Sequence, residues 1–305
     1  MLTLVVQIQP MPKHLLLLIS FFVFSSMYAQ SLKKLKKEIV TTLEPVPGVF
    51  AVAFKDLQTG KTIYINEHEI FHAASTMKTP VLAEAYKQAA AGKCSLTDSV
   101  VIINEFKSIA DTSHFSLSPS DDSEFELYKH VGEKSTLYDL LYQMIIRSSN
   151  LATNIVIEKL GAGNVMTTLR SMGLKDIQVL RGVEDNKAYQ KGLNNVVSAY
   201  DLCRLFENMA TDKIVAPAAC RAMIKILLDQ QFNDIIPAKL PATVKVAHKT
   251  GFITGIHHDS GIVFLPGGKK YVLVLLSKNL TNEKDGIEAM ATVSWLIYHY
   301  VNGKQ

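Results

Sequence analysis

The chain has 305 residues, of which 48% are hydrophobic and 20% are charged. This balance excludes a disordered or fibrous protein and suits one globular domain with a large core, or two interleaved subdomains. The formal net charge is only +4 and the Lys and Arg residues are scattered, so we expect neither nucleic acid nor an anionic membrane surface as the partner.

Residues 1–29 have the pattern of an export signal. Lys13 and His14 precede the apolar run LLLLISFFVF, which ends in the small and polar residues SSMYAQ. The run is too short to span a bilayer, and the charged stretch SLKKLKK soon follows it. We therefore predict a signal peptide over residues 1–29, cleavage after Ala29, and a periplasmic or secreted protein without membrane attachment after cleavage.

Three cysteines, Cys94, Cys203 and Cys220, are too few to form a disulfide framework in a chain of this size. At most one bridge is expected, and the thiols are predicted to act mostly as small buried apolar groups. The residues leave cysteine pairing and oligomeric state open, with a monomer as the expectation.

The first two thirds of the mature chain read as a helix, a hairpin and then a series of helices. The stretch SLKKLKKEIVTTLE predicts a surface helix, and GVFAVAFKDLQTGKTIYINE predicts a β-hairpin around the turn Asp56–Gly60. From Ser75 to about residue 230 the pattern is helical, without a strong strand. The predicted helices cover residues 76–91, 136–146, 151–160, 164–172, 198–210 and 217–229. A stretch of low periodicity, Phe106–Lys134, predicts a long loop.

The last quarter returns to β character in VKVAHKTG, HHDSGIVFLP and KKYVLVLLSKN, and closes with the helix DGIEAMATVSWLIYHYV. Strands at both ends with helices between them predict an α/β (α+β) fold. We expect an antiparallel sheet of about five strands, flanked by the N- and C-terminal helices. Residues 30–74 and 231–305 would form this α/β part and residues 75–230 an inserted all-helical subdomain, with a cleft between them.

The stretch Ser75-Thr-Met-Lys78 could provide a nucleophile and its base. A serine hydroxyl needs an adjacent proton acceptor, and positions three apart share one helix face. Pro80 places the helix start near the serine, where free backbone N–H groups favour negative charge. A helix cap with a solvated lysine is the simpler interpretation of this motif alone, and Ser31-Leu-Lys-Lys34 matches the same pattern.

A second motif, Arg147-Ser148-Ser149-Asn150, lies between two predicted helices. Ser148 and Asn150 could aim a hydroxyl and an amide into one cleft. Helix capping is the alternative, and Ser277-Lys-Asn279 fits the same loose pattern.

A third motif, His248-Lys249-Thr250-Gly251, ends a predicted strand. Lys249 and Thr250 would suit a carboxylate, and Gly251 would let a ligand approach the backbone closely. An edge strand protected by lysine is the alternative. All three motifs fall at predicted element boundaries, which favours one shared site.

With these motifs the sequence resembles the penicillin-recognising serine enzymes, and among them the class A β-lactamases. STMK and HKTG match the first and third boxes of that family, and RSSN stands where S-D-N is expected. The resemblance covers almost all of the mature chain and implies a small-molecule β-lactam substrate with no metal or organic cofactor.

The resemblance also implies a role for each matching residue. Ser75 would be the acylated nucleophile and Lys78 its proton acceptor, while Ser148 would relay a proton to the departing nitrogen. Asn150 would bind the acylamide side chain of the substrate. Lys249 and Thr250 would bind the substrate carboxylate. The N–H groups of Ser75 and Phe252, beside Gly251, would form the oxyanion hole.

A class A enzyme also needs a glutamate to activate the deacylating water, and LRGVEDNKAYQKGLNN offers Glu184 after Arg181. The family pattern R-x-E-x-x-L-N is not kept, so Asp185 is a second candidate, and both acids could be ordinary loop carboxylates. Ser149 replaces the acid of S-D-N.

The leading hypothesis is a class A serine β-lactamase conferring antibiotic resistance. A D-Ala-D-Ala peptidase-like hydrolase with slow deacylation and a non-catalytic β-lactam or cell-wall peptide binder remain alternatives.

Other motifs carry less weight. Adjacent histidines in His257-His258-Asp259 point to opposite faces of a strand, which argues against a metal site. In the last helix, Trp295 is predicted in the core, and Tyr298, His299 and Tyr300 are predicted to serve packing.

Overall fold

The computed structural model describes residues 32–303, so the predicted signal peptide lies outside the described residues. The strands are β1 (Val49–Asp56), β2 (Thr62–Ile65), β3 (Phe71–His72), β4 (Ser99–Val101), β5 (Phe106–Lys107), β6 (His114–Phe115), β7 (Lys134–Thr136), β8 (Val196–Val197), β9 (Lys245–Ile253), β10 (Ile256–Phe264) and β11 (Lys270–Lys278). The helices are α1 (residues 32–43), α2 (Lys78–Ala90), α3 (Leu137–Ile146), α4 (Asn150–Leu160), α5 (Ala162–Ser171), α6 (Asn186–Gln190), α7 (Ala199–Ala210), α8 (Pro217–Leu228) and α9 (Glu283–Asn302).

The central sheet contains five antiparallel strands in the order β2-β1-β11-β10-β9. Strands from both ends of the described chain meet at the pairing of β1 with β11, which runs from Val49 opposite Lys278 to Asp56 opposite Tyr271. The predicted α/β fold class and antiparallel sheet are therefore confirmed. Strand β9, which carries the third motif, lies at the free edge of this sheet.

The two faces of the sheet bury different layers because strand side chains alternate. On β11, Val272, Val274 and Leu276 belong to the apolar core shared with the helices between β2 and β9. Leu273 and Leu275 belong to the opposite core, shared with α1 and α9. The assignment of residues 75–230 to a separate subdomain stays a prediction.

The six helices predicted in this region correspond to α2, α3, α4, α5, α7 and α8 and agree with them to within two residues at each end, whereas the short helix α6 was not predicted. The short strands β4–β8 within this region were not predicted, since two or three residues carry too little alternation to be recognised. The stretch Phe106–Lys134 includes β5, β6 and two 3-10 turns, Pro119–Asp121 and Glu126–His130.

The core prediction for Trp295 is wrong, because 40% of this residue is exposed. The buried stripe of α9 contains Met290, Val293 and Ile297, whose spacing follows the helical period, and Trp295 falls off that stripe. Its ring contacts His299, with ring centroids 4.2 Å apart. Tyr298 is buried, as expected for a packing residue.

The three cysteines are free, with Cys203 and Cys220 buried and Cys94 partly exposed. The expectation of a buried thiol therefore holds for two of them. None of the helices within residues 32–303 combines the length and the apolar character that a membrane span requires.

Candidate active site

Ser75 lies in a 3-10 turn, Ala74–Met77, that leads directly into α2. The turn is set by Ala74, whose backbone is left-handed (φ 43°) and whose N–H donates to Nδ1 of His72 at 3.1 Å. A Cβ on Gly251 would lie 2.9 Å from the Ser75 nitrogen. Strand β9 therefore passes closer to the backbone of the serine turn than any side chain at position 251 would permit.

The Lys78 ammonium is fully buried one turn after Ser75. Its Nζ donates to Ser148 O at 2.6 Å, to Ser148 Oγ at 3.2 Å and to Asn150 Oδ1 at 2.9 Å. Burial lowers the pKa of Lys78 from 10.5 to about 7, and the negative charges of Asp122 and Glu184 oppose this shift. Near neutral pH a substantial fraction of these amines is therefore unprotonated and able to accept a proton.

Ser148 bridges the two buried lysines of the site. Its Oγ accepts a hydrogen bond from Lys78 at 3.2 Å and one from Lys249 Nζ at 3.0 Å. A hydroxyl whose two lone pairs are occupied keeps its own proton free to donate. Ser148 has a left-handed backbone (φ 58°) at the junction of α3 and α4, which turns its side chain toward the lysines.

Lys249 enters the same cluster from β9 and is also fully buried. Its Nζ donates to Thr250 O at 2.9 Å as well as to Ser148. Burial, and then repulsion from Lys78, lower the pKa of Lys249 well below its ordinary value. Residues from all three motifs, namely Lys78, Ser148, Asn150 and Lys249, thus form one hydrogen-bonded cluster.

A cleft of about 230 Å³ opens beside this cluster, and Ser75, Asn150, Glu184 and Phe252 line it. Phe252 is 56% exposed and its ring stacks on His257, with ring centroids 6.2 Å apart. Thr250 is buried on β9. The cleft therefore presents a hydroxyl, an amide, a carboxylate and an aromatic ring to an occupant.

Glu184 reaches the cleft from the loop before α6, with a left-handed backbone (φ 61°). Its Oε1 accepts a hydrogen bond from Asn150 Nδ2 at 3.4 Å. Although much of the residue is exposed, its carboxylate lies within the cleft. Desolvation there, and then repulsion from Asp121, raise the pKa of Glu184, while Lys78 and Arg181 lower it.

The loop that carries Glu184 is held by buried polar side chains. Asn154 on α4 accepts the Val183 N–H at 2.7 Å and donates to Val183 O at 3.0 Å. Arg181 donates through Nε to Leu193 O at 2.9 Å and through Nη2 to Asn194 Oδ1 at 3.2 Å. These contacts define one conformation for a loop whose sequence departs from the family pattern.

Asp185, the second candidate for the base, has both carboxylate oxygens committed elsewhere. Oδ1 accepts from Ser108 Oγ at 2.8 Å and from the Ala188 N–H at 3.0 Å, and Oδ2 accepts from the Ile109 N–H at 3.0 Å. Asp185 therefore caps α6 and ties the loop to the Phe106–Lys134 segment.

The three residues of the His257-His258-Asp259 motif each bond to other protein groups. His257 Nε2 contacts Glu283 Oε2 at 3.1 Å, and His258 Nε2 donates to His72 O at 2.9 Å. Asp259 pairs with His248 Nδ1 at 2.8 Å. Burial lowers the pKa of His258 to about 4, so this ring is neutral.

Two other stretches of the sequence fit the same patterns, and their described residues bond to groups outside this cluster. Ser277 Oγ donates to His257 O at 2.6 Å. Lys34 pairs weakly with Glu38 at 3.9 Å on the exposed face of α1, and Ser31 lies outside the described residues.

Sequence reasoning missed Asp122, Asn154 and His72, which all lie at the site. His72 lines the cleft, and burial followed by repulsion from Arg181 lowers its pKa. Asp122 Oδ2 accepts the N–H groups of Asn150 and Leu151 at 2.8 and 3.0 Å. No local pattern distinguishes Asp122 from the other acids of its loop, because its partners lie in a distant part of the sequence.

Comparisons with known proteins identify the family. The model of the β-lactamase enzyme family matches residues 34–301. No curated protein sequence matches the chain significantly.

Three solved structures illustrate the likeness of the fold. A β-lactamase from Sphaerobacter thermophilus is 24% identical, with a TM-score of 0.75 over 88% of this chain and 97% of that one. PBP-A is 25% identical, with a TM-score of 0.76 over 89% and 97%. A β-lactamase from Chitinophaga pinensis is 22% identical, with a TM-score of 0.76 over 87% and 98%. From the family match over nearly the whole described chain, we conclude that the protein belongs to the β-lactamase enzyme family.

Proposed function

We propose that the protein is an exported class A-type serine β-lactamase that hydrolyses the lactam amide through an acyl-enzyme on Ser75, and so confers β-lactam resistance. One observation carries the proposal. The buried Lys78 amine, with its pKa lowered to about 7, lies one turn from Ser75 and is shared between Ser148 and Asn150. Proton abstraction from a serine requires a base whose pKa lies near the pH of the reaction.

Acylation follows from the positions of these groups. Neutral Lys78 takes the proton of Ser75 Oγ as this oxygen attacks the lactam carbonyl carbon. The N–H groups of Ser75 and Phe252 stabilise the tetrahedral oxyanion, which the close approach at Gly251 supports. The C–N bond then breaks, and Ser148 passes a proton to the departing nitrogen while regaining one from Lys78.

Substrate binding uses the polar groups on either side of the serine. Lys249 and Thr250 bind the substrate carboxylate from β9, because a cation and a hydroxyl both donate to carboxylate oxygens. The Asn150 amide binds the acylamide group of the substrate from the opposite wall. These two contacts orient the lactam carbonyl over Ser75.

Deacylation requires a base for water, and Glu184 is one of the two acids that line the cleft. Two observations support this role for Glu184: its carboxylate contacts Asn150 at 3.4 Å, and its raised pKa makes it a stronger base than an ordinary glutamate. Water gives a proton to Glu184 as it attacks the ester carbonyl, and Ser75 leaves with a proton returned through Lys78. Asp185 is not assigned this role, since its oxygens bind Ser108 and two backbone N–H groups.

The second candidate function is a D-Ala-D-Ala peptidase-like hydrolase that acylates but deacylates slowly. The observation that favours it is the altered loop around Glu184, in which R-G-V-E-D-N-K-A replaces the family pattern. Ser75, Lys78, Ser148 and Lys249 would serve both reactions.

A chromogenic cephalosporin separates the candidates. Sustained turnover by the purified protein, abolished by Ser75→Ala, supports the β-lactamase. A burst equal to the enzyme concentration and then no turnover supports the peptidase-like hydrolase. Neither turnover nor covalent labelling of Ser75 would leave only a non-catalytic binder and refute the proposal.

A further inference from the structure

Three consecutive residues of the Phe106–Lys134 segment wrap around the junction of α3 and α4. Ser123 Oγ donates to Arg147 O at 2.7 Å, and Glu124 Oε1 pairs with Arg147 Nη1 at 3.4 Å. Asp122 binds the far side of the same junction, at Asn150 and Leu151. We call Asp122, Ser123 and Glu124 the junction clamp.

Within the junction clamp, Asp122 is the residue that binds the start of α4. Its Oδ2 accepts the N–H groups of Asn150 and Leu151, the first two residues of the helix, and also the Tyr128 hydroxyl at 2.9 Å. Its Oδ1 accepts the Glu124 N–H at 3.0 Å. A nearly buried carboxylate at a helix N-terminus satisfies two free donors and is favoured by the helix dipole.

The α3–α4 junction has no acid of its own to do this. Ser149, the N-cap of α4, is neutral, and its Oγ accepts the Ala152 N–H at 3.2 Å. Ser148 just before it has a left-handed backbone, and Asn150 just after it must hold its side chain on Lys78. Two active-site side chains therefore depend on a turn that a distant segment fixes.

We propose that Asp122 is a positioning residue of the reaction: by binding the first two N–H groups of α4, it holds Ser148 and Asn150 in place around Lys78. The inference rests on the proposed function, because it concerns the Ser75 acylation step. It assigns the Phe106–Lys134 segment a part in catalysis that its sequence does not reveal.

The charge of Asp122 adds a second, separable effect. The charged groups that face Lys78 are Lys249 on β9, Glu184 on its loop and Asp122. The negative charge of Asp122 raises the pKa of Lys78 against the effect of burial. Since the neutral amine is the active form, removing this charge lowers the pKa and moves the acidic limb of acylation to lower pH.

The test is the rate of Ser75 labelling by a fluorescent penicillin between pH 5 and 9, for the parent, Asp122→Asn and Asp121→Asn. For Asp122→Asn we expect the acidic limb to move to lower pH and the plateau to fall about tenfold, because small displacements of catalytic groups slow a reaction. Asp121→Asn, which removes a charge one residue away, should leave the limb at the parental pH.

The inference would be overturned if folded Asp122→Asn kept the acidic limb of the pH–rate profile at the parental pH and had a plateau rate within twofold of the parent's. If Asp122→Asn does not fold, Tyr128→Phe decides, because it removes only the hydroxyl that holds Oδ2. A labelling rate several-fold lower at an unchanged melting temperature supports the inference, and an unchanged rate overturns it. A parent that is not labelled would instead refute the proposed function.

Discussion

Replacing Lys78 by Arg tests the base of the reaction directly. Arg keeps a cation of similar length but stays protonated, so it cannot accept the proton of Ser75. Burial lowers the pKa of Lys78 from 10.5 to about 7, so a substantial fraction of the amines is neutral at pH 7. An ordinary lysine would have roughly one neutral amine in 3,000 at this pH, by the tenfold change in ratio per pH unit.

We therefore expect Lys78→Arg to slow acylation by about 10² to 10⁴-fold, the usual contribution of a positioned base. The assay is stopped-flow labelling of Ser75 by a fluorescent penicillin at pH 7. Lys34→Arg, in the other S-x-x-K stretch, is the matched control and should keep the parental rate, because Lys34 lies on an exposed helix face. A Lys78→Arg rate within threefold of the parent would refute the reasoning.

The same structure gives three further predictions. Folded Lys78 loses its proton near pH 7, whereas Lys78 of the unfolded chain keeps its proton up to about pH 10.5. Burial of the charged amine therefore lowers the free energy of unfolding by its full amount below pH 7, and this loss becomes smaller as the pH rises. Relative to Lys78→Met, the parent should gain about 2 kcal/mol of unfolding free energy from pH 7 to pH 9, measured by urea titration, and a flat difference would contradict the pKa shift. Gly251→Ala should slow acylation at least tenfold, because the new Cβ meets the Ser75 nitrogen, whereas Gly163→Ala, which meets open space, should not change it. Asp185→Ala should cost roughly 1 to 3 kcal/mol in thermal or urea unfolding, since it removes a cap and two loop contacts, and a cost below about 0.5 kcal/mol would be inconsistent with its structural role.

Much of the fold could be predicted because its long elements carry strong periodic patterns. The β-rich runs of β9, β10 and β11 and the helical period from α2 to α8 each extend over many residues. The short strands and Trp295 escaped prediction for opposite reasons. The strands offer too few residues to show a period, and Trp295 lies in an apolar helix whose buried stripe only the packing defines.

The site could be predicted where its chemistry lies in short motifs at element boundaries. Ser75 and Lys78 are one turn apart, and a lysine at the end of a strand marks Lys249 as a candidate. Asp122 could not be found this way, because its function depends on contacts with Asn150, which lies 28 positions away in the sequence. Only the folded chain shows that the loop acid Asp122 binds the first two N–H groups of α4.

The central claim is that Ser75 carries the acyl group and that Glu184 removes it. The most direct measurement is mass spectrometry of intact and digested Glu184→Gln protein after mixing with benzylpenicillin, beside the parent. We predict one stable penicilloyl adduct per Glu184→Gln molecule, on the peptide that contains Ser75, and an adduct on the parent that disappears as the drug is consumed. An unmodified Ser75 in the variant while the parent hydrolyses benzylpenicillin would contradict the account.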